Sequence, residues 1–184
     1  MVWLPHEAAG LSFIGLEMGE QAKFLPQVRS GEIVPDRSLF YVPPVSVGII
    51  LVLVSSQWPA GRPQTWVARA LGPLISLLAF PALEALGTEA AEWLWRVLMI
   101  SLVFALAILS PLLSRIPKRV LWLLIGAAAL LGALLPSWVF LAVREAFTRL
   151  LGQPIGVGAG LWLNLSGQLL AASVALAELR TDHS

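Results

Sequence analysis

Apolar residues along this chain gather into five long stretches, and most of the charges fall in the polar start of the chain and in the short loops between the stretches. The first stretch covers residues 39–58, with no charge between Arg37 and Arg62 and with Phe40, Tyr41 and Trp58 placed as headgroup-level aromatics. About 20 residues at ~1.5 Å each suffice for a ~30 Å hydrocarbon core. The second covers 66–86, with Arg69 and Glu84 near its two ends, and the third covers 95–114. The fourth begins at Val120 and the fifth covers 155–177. The pattern predicts an all-α integral membrane protein, a bundle of about five transmembrane helices. It divides the chain into an amphipathic N-terminal segment over 1–38, the bundle over 39–178 and a polar tail over 179–184.

Within the N-terminal segment, Leu11, Ile14, Met18, Ala22, Leu25 and Val28 recur at helical spacing while Glu17, Glu20 and Lys23 point elsewhere. That spacing predicts a short amphipathic helix lying on the membrane or on the bundle. Pro26 and the Ser30-Gly31 pair end it, and Pro35 with the Pro43-Pro44 pair keeps the approach to the first span extended or kinked. Met1 to Pro5 reads as the tail of an apolar segment, so a helix upstream of it is one expectation; such a helix would make the span count even.

The fourth stretch is uncharged from Val120 to Val143, but Pro136 divides it. Beyond Pro136, Val139, Val143, Ala146, Phe147 and Leu150 share one face, with Arg144, Glu145, Thr148 and Arg149 on the other. The expected arrangement is a span ending near Leu135, then an interfacial helix between spans four and five that reaches Leu151.

Five spans place the termini on opposite sides. With the N-terminus outside and the C-terminus inside, the inner loops hold Arg62, Arg69, Arg115, Lys118, Arg119 and Arg180. The outer set, Lys23, Arg29, Arg37, Arg96, Arg144 and Arg149, is equally numerous but spread over longer segments. Basic residues in tight loops favour the inner side, so this orientation, in a bacterial inner membrane, is the expected one.

Composition agrees with a lipid environment: 58% of residues are hydrophobic and 12% charged, against roughly 45–50% and about 25% in soluble chains. A net charge of +1 offers no basic excess for nucleic-acid phosphates. No cysteine is present, which removes disulfides, thiolate metal sites and cysteine nucleophiles. The two histidines, His6 and His183, lie near opposite termini and cannot pair across a bundle as haem ligands. The serines of the spans have no in-span His or Lys base. No catalytic, metal or cofactor-binding residue is therefore assigned.

Two constellations remain. Gly156-Val-Gly-Ala-Gly160 looks like a phosphate loop on paper but opens an apolar span rather than following a strand. On a helical wheel Gly156, Gly160, Gly167 and Ala171 fall within about 60°, with Asn164 beside them. Small residues so placed admit another helix closely, and a mid-span Asn hydrogen-bonds across such a contact. Gly126, Ala129 and Gly132 or Ala133 form a similar stripe, so spans four and five are expected neighbours. In span two, Arg69, Pro73, Ser76, Phe80 and Glu84 share a stripe, with Arg69 and Glu84 near interfaces where they reach water and with Glu84 or Glu92 as expected partners of Arg96.

These features lead to a non-catalytic subunit or scaffold of a membrane complex, joining a membrane-protein partner or a second copy through Gly156, Gly160, Asn164 and Gly167. Two alternatives stay open. A small solute or ion transporter or channel would use Asn164, Gln168 and the proline kinks. A lipid-active enzyme would have to use His6, Glu7, Glu17, Glu20 or Glu89 at the outer surface.

Overall fold

A computed structural model describes residues 2–6, 11–82, 87, 90–152 and 154–181. Among the described residues the regular elements are helical apart from an antiparallel ribbon near the start, in which β1 (Val2–His6) pairs with β2 (Leu11–Ile14). Two short helices follow, α1 (Gly15–Gln21) and α2 (Pro26–Arg29). The longer elements are α3 (Val42–Ser56), α4 (Pro63–Ser76) and α5 (Ala90–Ile108), then the single-turn α6 (Ser110–Leu113), α7 (Lys118–Leu151) and α8 (Ala159–Thr181). Among the described residues, three stretches are long and apolar enough to cross a membrane: Arg37–Ser56, Lys118–Leu150 and Ala159–Thr181. Trp93–Ile108 is apolar but shorter, and α4 has 14 residues before it tightens into a 3-10 turn over Leu77–Ala79. Of the five stretches expected to span, three have full spanning length among the described residues; the second, over 66–86, includes residues 83–86, which lie outside them.

Local sequence departs from expectation in three places, each for an identifiable reason. Pro43 and Pro44 lie inside the helical path of Arg37–Ser56, not in an extended approach. They occupy the first turn of α3, where backbone N–H groups have no helical acceptor to lose. The amphipathic helix expected around 11–28 is broken into β2, α1, a 3-10 turn over Ala22–Phe24 and α2. Its apolar face is nevertheless buried, at Met18, Ala22 and Leu25, because it packs on the protein and not on lipid.

The third departure is α7, a single helix of 34 residues through Pro136, with no separate interfacial helix after it. The amphipathic face beyond Pro136 is real, since Val139, Val143, Ala146 and Phe147 are buried, but its covering is the N-terminal segment. Trp3 lies edge-on to both Phe40 and Phe140, with centroids 6.3 and 6.0 Å apart. These rings, Met18, Leu25 and Ile155 form a cap core at one end of the bundle. A second core, with Val52, Ile100, Val103, Leu121 and Ile125, fills the bundle between α3, α5 and α7. At roughly 51 Å, α7 reaches from one end to the other and serves both cores.

The helices run alternately in opposite directions. A Cβ on Gly48 of α3 would stand 2.7 Å from the carbonyl oxygen of Gly72 in α4, and one on Gly72 would stand 2.8 Å from that of Gly48. Only glycine lets two backbones meet this closely. Along α7 and α8, Gly126 faces Ala175 and Gly132 faces Asn164 and Gln168, the antiparallel neighbours expected from their small residues. Outward, Leu74, Leu98, Leu134 and Leu170 are each at least half exposed. An apolar surface of this extent suits a non-aqueous surrounding.

Candidate functional site

Among the described residues, buried charged and polar side chains are few, and most of them fall in three places. The first is where α3, α7 and α8 converge on Gly132. Proline at 136 has no N–H for the carbonyl four residues back, which is that of Gly132. Asn164 Nδ2 donates to this carbonyl from α8 at 3.0 Å. One turn along α8, Gln168 Nε2 donates to Ser46 Oγ of α3 at 2.7 Å, and the Ser46 hydroxyl donates to Pro43 O at 2.8 Å. Gln168 is 4% exposed, and its Oε1 is buried with no hydrogen-bond partner. A Cβ at Gly132 would stand 2.7 Å from Gln168 Nε2 and 2.8 Å from Ser46 Cβ, so glycine is what leaves room for this cluster.

The second place lies under the cap. The residue before a proline is pushed into the extended region, and Phe80, before Pro81, has ψ 135°, which stops the α4 helical path and leaves its last carbonyls unpaired. Arg96 of α5 takes them: Nε donates to Ala79 O at 2.9 Å and Nη2 to Phe80 O at 3.1 Å. Its Nη1 donates to Glu20 Oε1 at 3.0 Å, and its guanidinium lies 3.6 Å above the Tyr41 ring. Tyr41 donates its hydroxyl to the same Glu20 oxygen at 3.0 Å, and Lys23 Nζ approaches the other at 3.1 Å. Burial by itself raises the Glu20 pKa, but the bonds from Lys23 and Tyr41 and the charges of Lys23 and Arg96 together hold it below its ordinary value. Arg96 thus pairs with Glu20 of the N-terminal segment. Glu84 and the side chain of Glu92, expected as its partners, lie outside the described residues.

The third place is Arg69, on the buried stripe of α4 with Thr65, Ala68, Gly72, Pro73 and Ser76. It is 8% exposed, so it does not reach open surface as expected. Its guanidinium lies 5.4 Å from the Trp66 ring, and its Nε is buried without a hydrogen-bond partner. Gln57 Nε2, just past the end of α3, is also buried and unpartnered.

Beside the cap, a cavity of ≈ 430 Å³ opens between the starts of α3 and α8, lined by Trp3, Phe40, Pro43, Pro44, Leu163 and Asn164 among others. The glycine run at 156–160 has a structural use here. Gly158 N donates to Trp3 O at 2.8 Å, and a Cβ at Gly158 would collide with the Trp3 backbone. Among the described residues no group of three acidic, His or Cys side chains is placed to hold a metal ion. Glu7, Glu89 and His183 lie outside the described residues.

Of the face expected at Gly156, Gly160, Asn164 and Gly167, the structure turns Gly160 and Asn164 inward, while Gly156 is exposed and Gly167 has nothing within 4 Å of its would-be side chain. Ser46, Gly48 and Gly72 are not singled out by sequence, and Tyr41 is marked there only as a headgroup-level aromatic. The local signal at Ser46 is that it is the one serine in the first half of the apolar stretch 39–58. These features define a helical bundle with three helices fit to cross a membrane. Compared with protein-family models, curated proteins and solved structures, the chain matches none.

Proposed function

We propose that this chain is a five-pass membrane bundle, cap outside and C-terminus inside, that acts without catalysis as a subunit or scaffold and docks through α8. The observation that carries the reading is the outer face of α8. Only 22% of its most apolar stretch is buried within the fold, and its amides at Asn164 and Gln168 are engaged inward. Leu163, Gly167, Leu170 and Val174 share one uncovered face, with Gly167 as a notch in it. Such a notch admits a second helix backbone in lipid. α4 and α5 complete the five passes by lying against α3, with the local thickness of the bilayer adjusting to their shorter apolar length.

The test is purification of the full chain in mild detergent, with mass measurement and identification of what accompanies it. A stoichiometric partner or a defined oligomer, lost in Gly167→Leu, is expected. A monomer without partner that turns over a substrate would overturn the reading. A transporter is the second reading, favoured by the unpartnered Gln168 Oε1 inside the bundle. Solute flux in liposomes abolished by Asn164→Leu, with α8 oligomerisation intact, would promote it to first.

A further inference from the structure

We propose that the bundle end opposite the cap binds the phosphodiester of an anionic phospholipid, with Arg69 as its buried anchor. This rests on the membrane location proposed above but not on any protein partner. A guanidinium withdrawn from water needs an anion or a set of acceptors. Arg69 is more than nine-tenths buried, its Nε has no hydrogen-bond partner, and no carboxylate pairs with it among the described residues. The Cβ of a helical residue tilts toward the helix N-terminus, and the N-terminus of α4 is at this end, so the side chain leans toward the headgroup level.

Three observations point to phosphate chemistry. The second unpartnered group at this end, Gln57 Nε2, is also a donor, so an acceptor-rich ligand satisfies both. The same end of the bundle carries Arg62, Arg115, Lys118 and Arg180, all exposed, and Glu178 is the one carboxylate among the described residues of this end. Trp66, 61% exposed beside Arg69, is the side chain that favours the headgroup region of a bilayer. A planar guanidinium binds phosphate oxygens in a two-pronged manner that Lys cannot reproduce. The rim residues then supply long-range attraction to an anionic leaflet.

The experiment reconstitutes the full chain in nanodiscs of equal phosphatidylglycerol and phosphatidylcholine and reads the lipids retained after gentle extraction by native mass spectrometry. At least tenfold enrichment of phosphatidylglycerol is expected, falling below twofold in Arg69→Gln, with Arg69→Lys restoring only part. Arg29→Gln, which removes an exposed charge at the cap end, should leave the enrichment unchanged. Gln57→Leu, which removes a donor without stranding a charge, serves if Arg69→Gln does not fold, and should lower enrichment about threefold. Equal retention of the two lipids, or enrichment unchanged in the Arg69 and Gln57 variants, overturns the proposal. Inorganic phosphate at 10 mM forms the second arm: displacement of phosphatidylglycerol by phosphate alone would assign the site to a free anion and overturn the lipid assignment. A monomer without partner that turns over a substrate and still enriches phosphatidylglycerol would sink the scaffold reading and leave this one standing.

Discussion

Asn164 and Pro136 act on the same backbone carbonyl. The proline strips Gly132 O of its helical donor, and the asparagine, 32 residues further on from that glycine, supplies another at 3.0 Å. A mid-helix proline is thereby accommodated without ending α7, and the accommodation doubles as the joint between α7 and α8.

That coupling predicts a non-additive pair. Asn164→Leu should destabilise the bundle by about 1–2 kcal/mol, the cost of a lost buried hydrogen bond with its acceptor left unpaired. In a Pro136→Ala background, the backbone N–H regained at that position returns to Gly132 O, and the cost of Asn164→Leu should fall by half or more. Denaturant unfolding of the four proteins in mild detergent closes the cycle; equal costs in both backgrounds would refute the joint.

Glycine positions should divide sharply by their surroundings. Gly48→Ala and Gly72→Ala each force apart backbones that approach within 2.8 Å of a would-be Cβ, and a loss of about 1–3 kcal/mol is expected. Gly167→Ala, which meets nothing within 4 Å, should leave the isolated bundle unchanged or firmer by about 0.5–1 kcal/mol through helix propensity. Thermal unfolding of the three variants side by side checks this.

The cap should depend on pH through Glu20. Its folded-state carboxyl lies below the ordinary 4.5, so its contribution is fully present above that value and is lost as pH falls through the lowered folded value. Glu20→Gln should therefore be less stable than the parent at pH 7, with the gap shrinking below about 4.5. Since Glu20 is half exposed, the effect should also weaken in high salt. A gap independent of pH would argue that shape, and not charge, holds Glu20 to Arg96.

Trp3 is 5% exposed between Phe40 and Phe140. Trp3→Ala should cost about 3–5 kcal/mol if the cap and bundle unfold together. Limited proteolysis in detergent distinguishes this from separate unfolding, in which the N-terminal segment alone becomes cleavable.

Local periodicity carried the apolar faces and the pairing of α7 with α8, because small residues at Gly126, Ala129 and Ala133 repeat within one element and announce a close neighbour. What it did not carry is tertiary. Glu20 looks like the wet side of an amphipathic helix, and its bond to Arg96 joins positions 76 apart. The face beyond Pro136 has the pattern of a helix resting on lipid, and periodicity does not distinguish lipid from Trp3 and Met18 as its cover. Nor does a proline in a sequence show whether a side chain elsewhere will take up the carbonyl it frees, which decides between a break and a continuous α7.

The length of α7 gives the molecule a mechanical property. Its 34 residues exceed a ~30 Å hydrocarbon core by roughly 21 Å, and the buried side chains at 139–147 that bear the cap lie toward one end of it. The cap packs on the last turns of the same helix whose first turns enter the bundle core. Were α7 to tilt in a thinner bilayer, as over-long helices do, the cap would travel with its far end, with α7 as the lever arm.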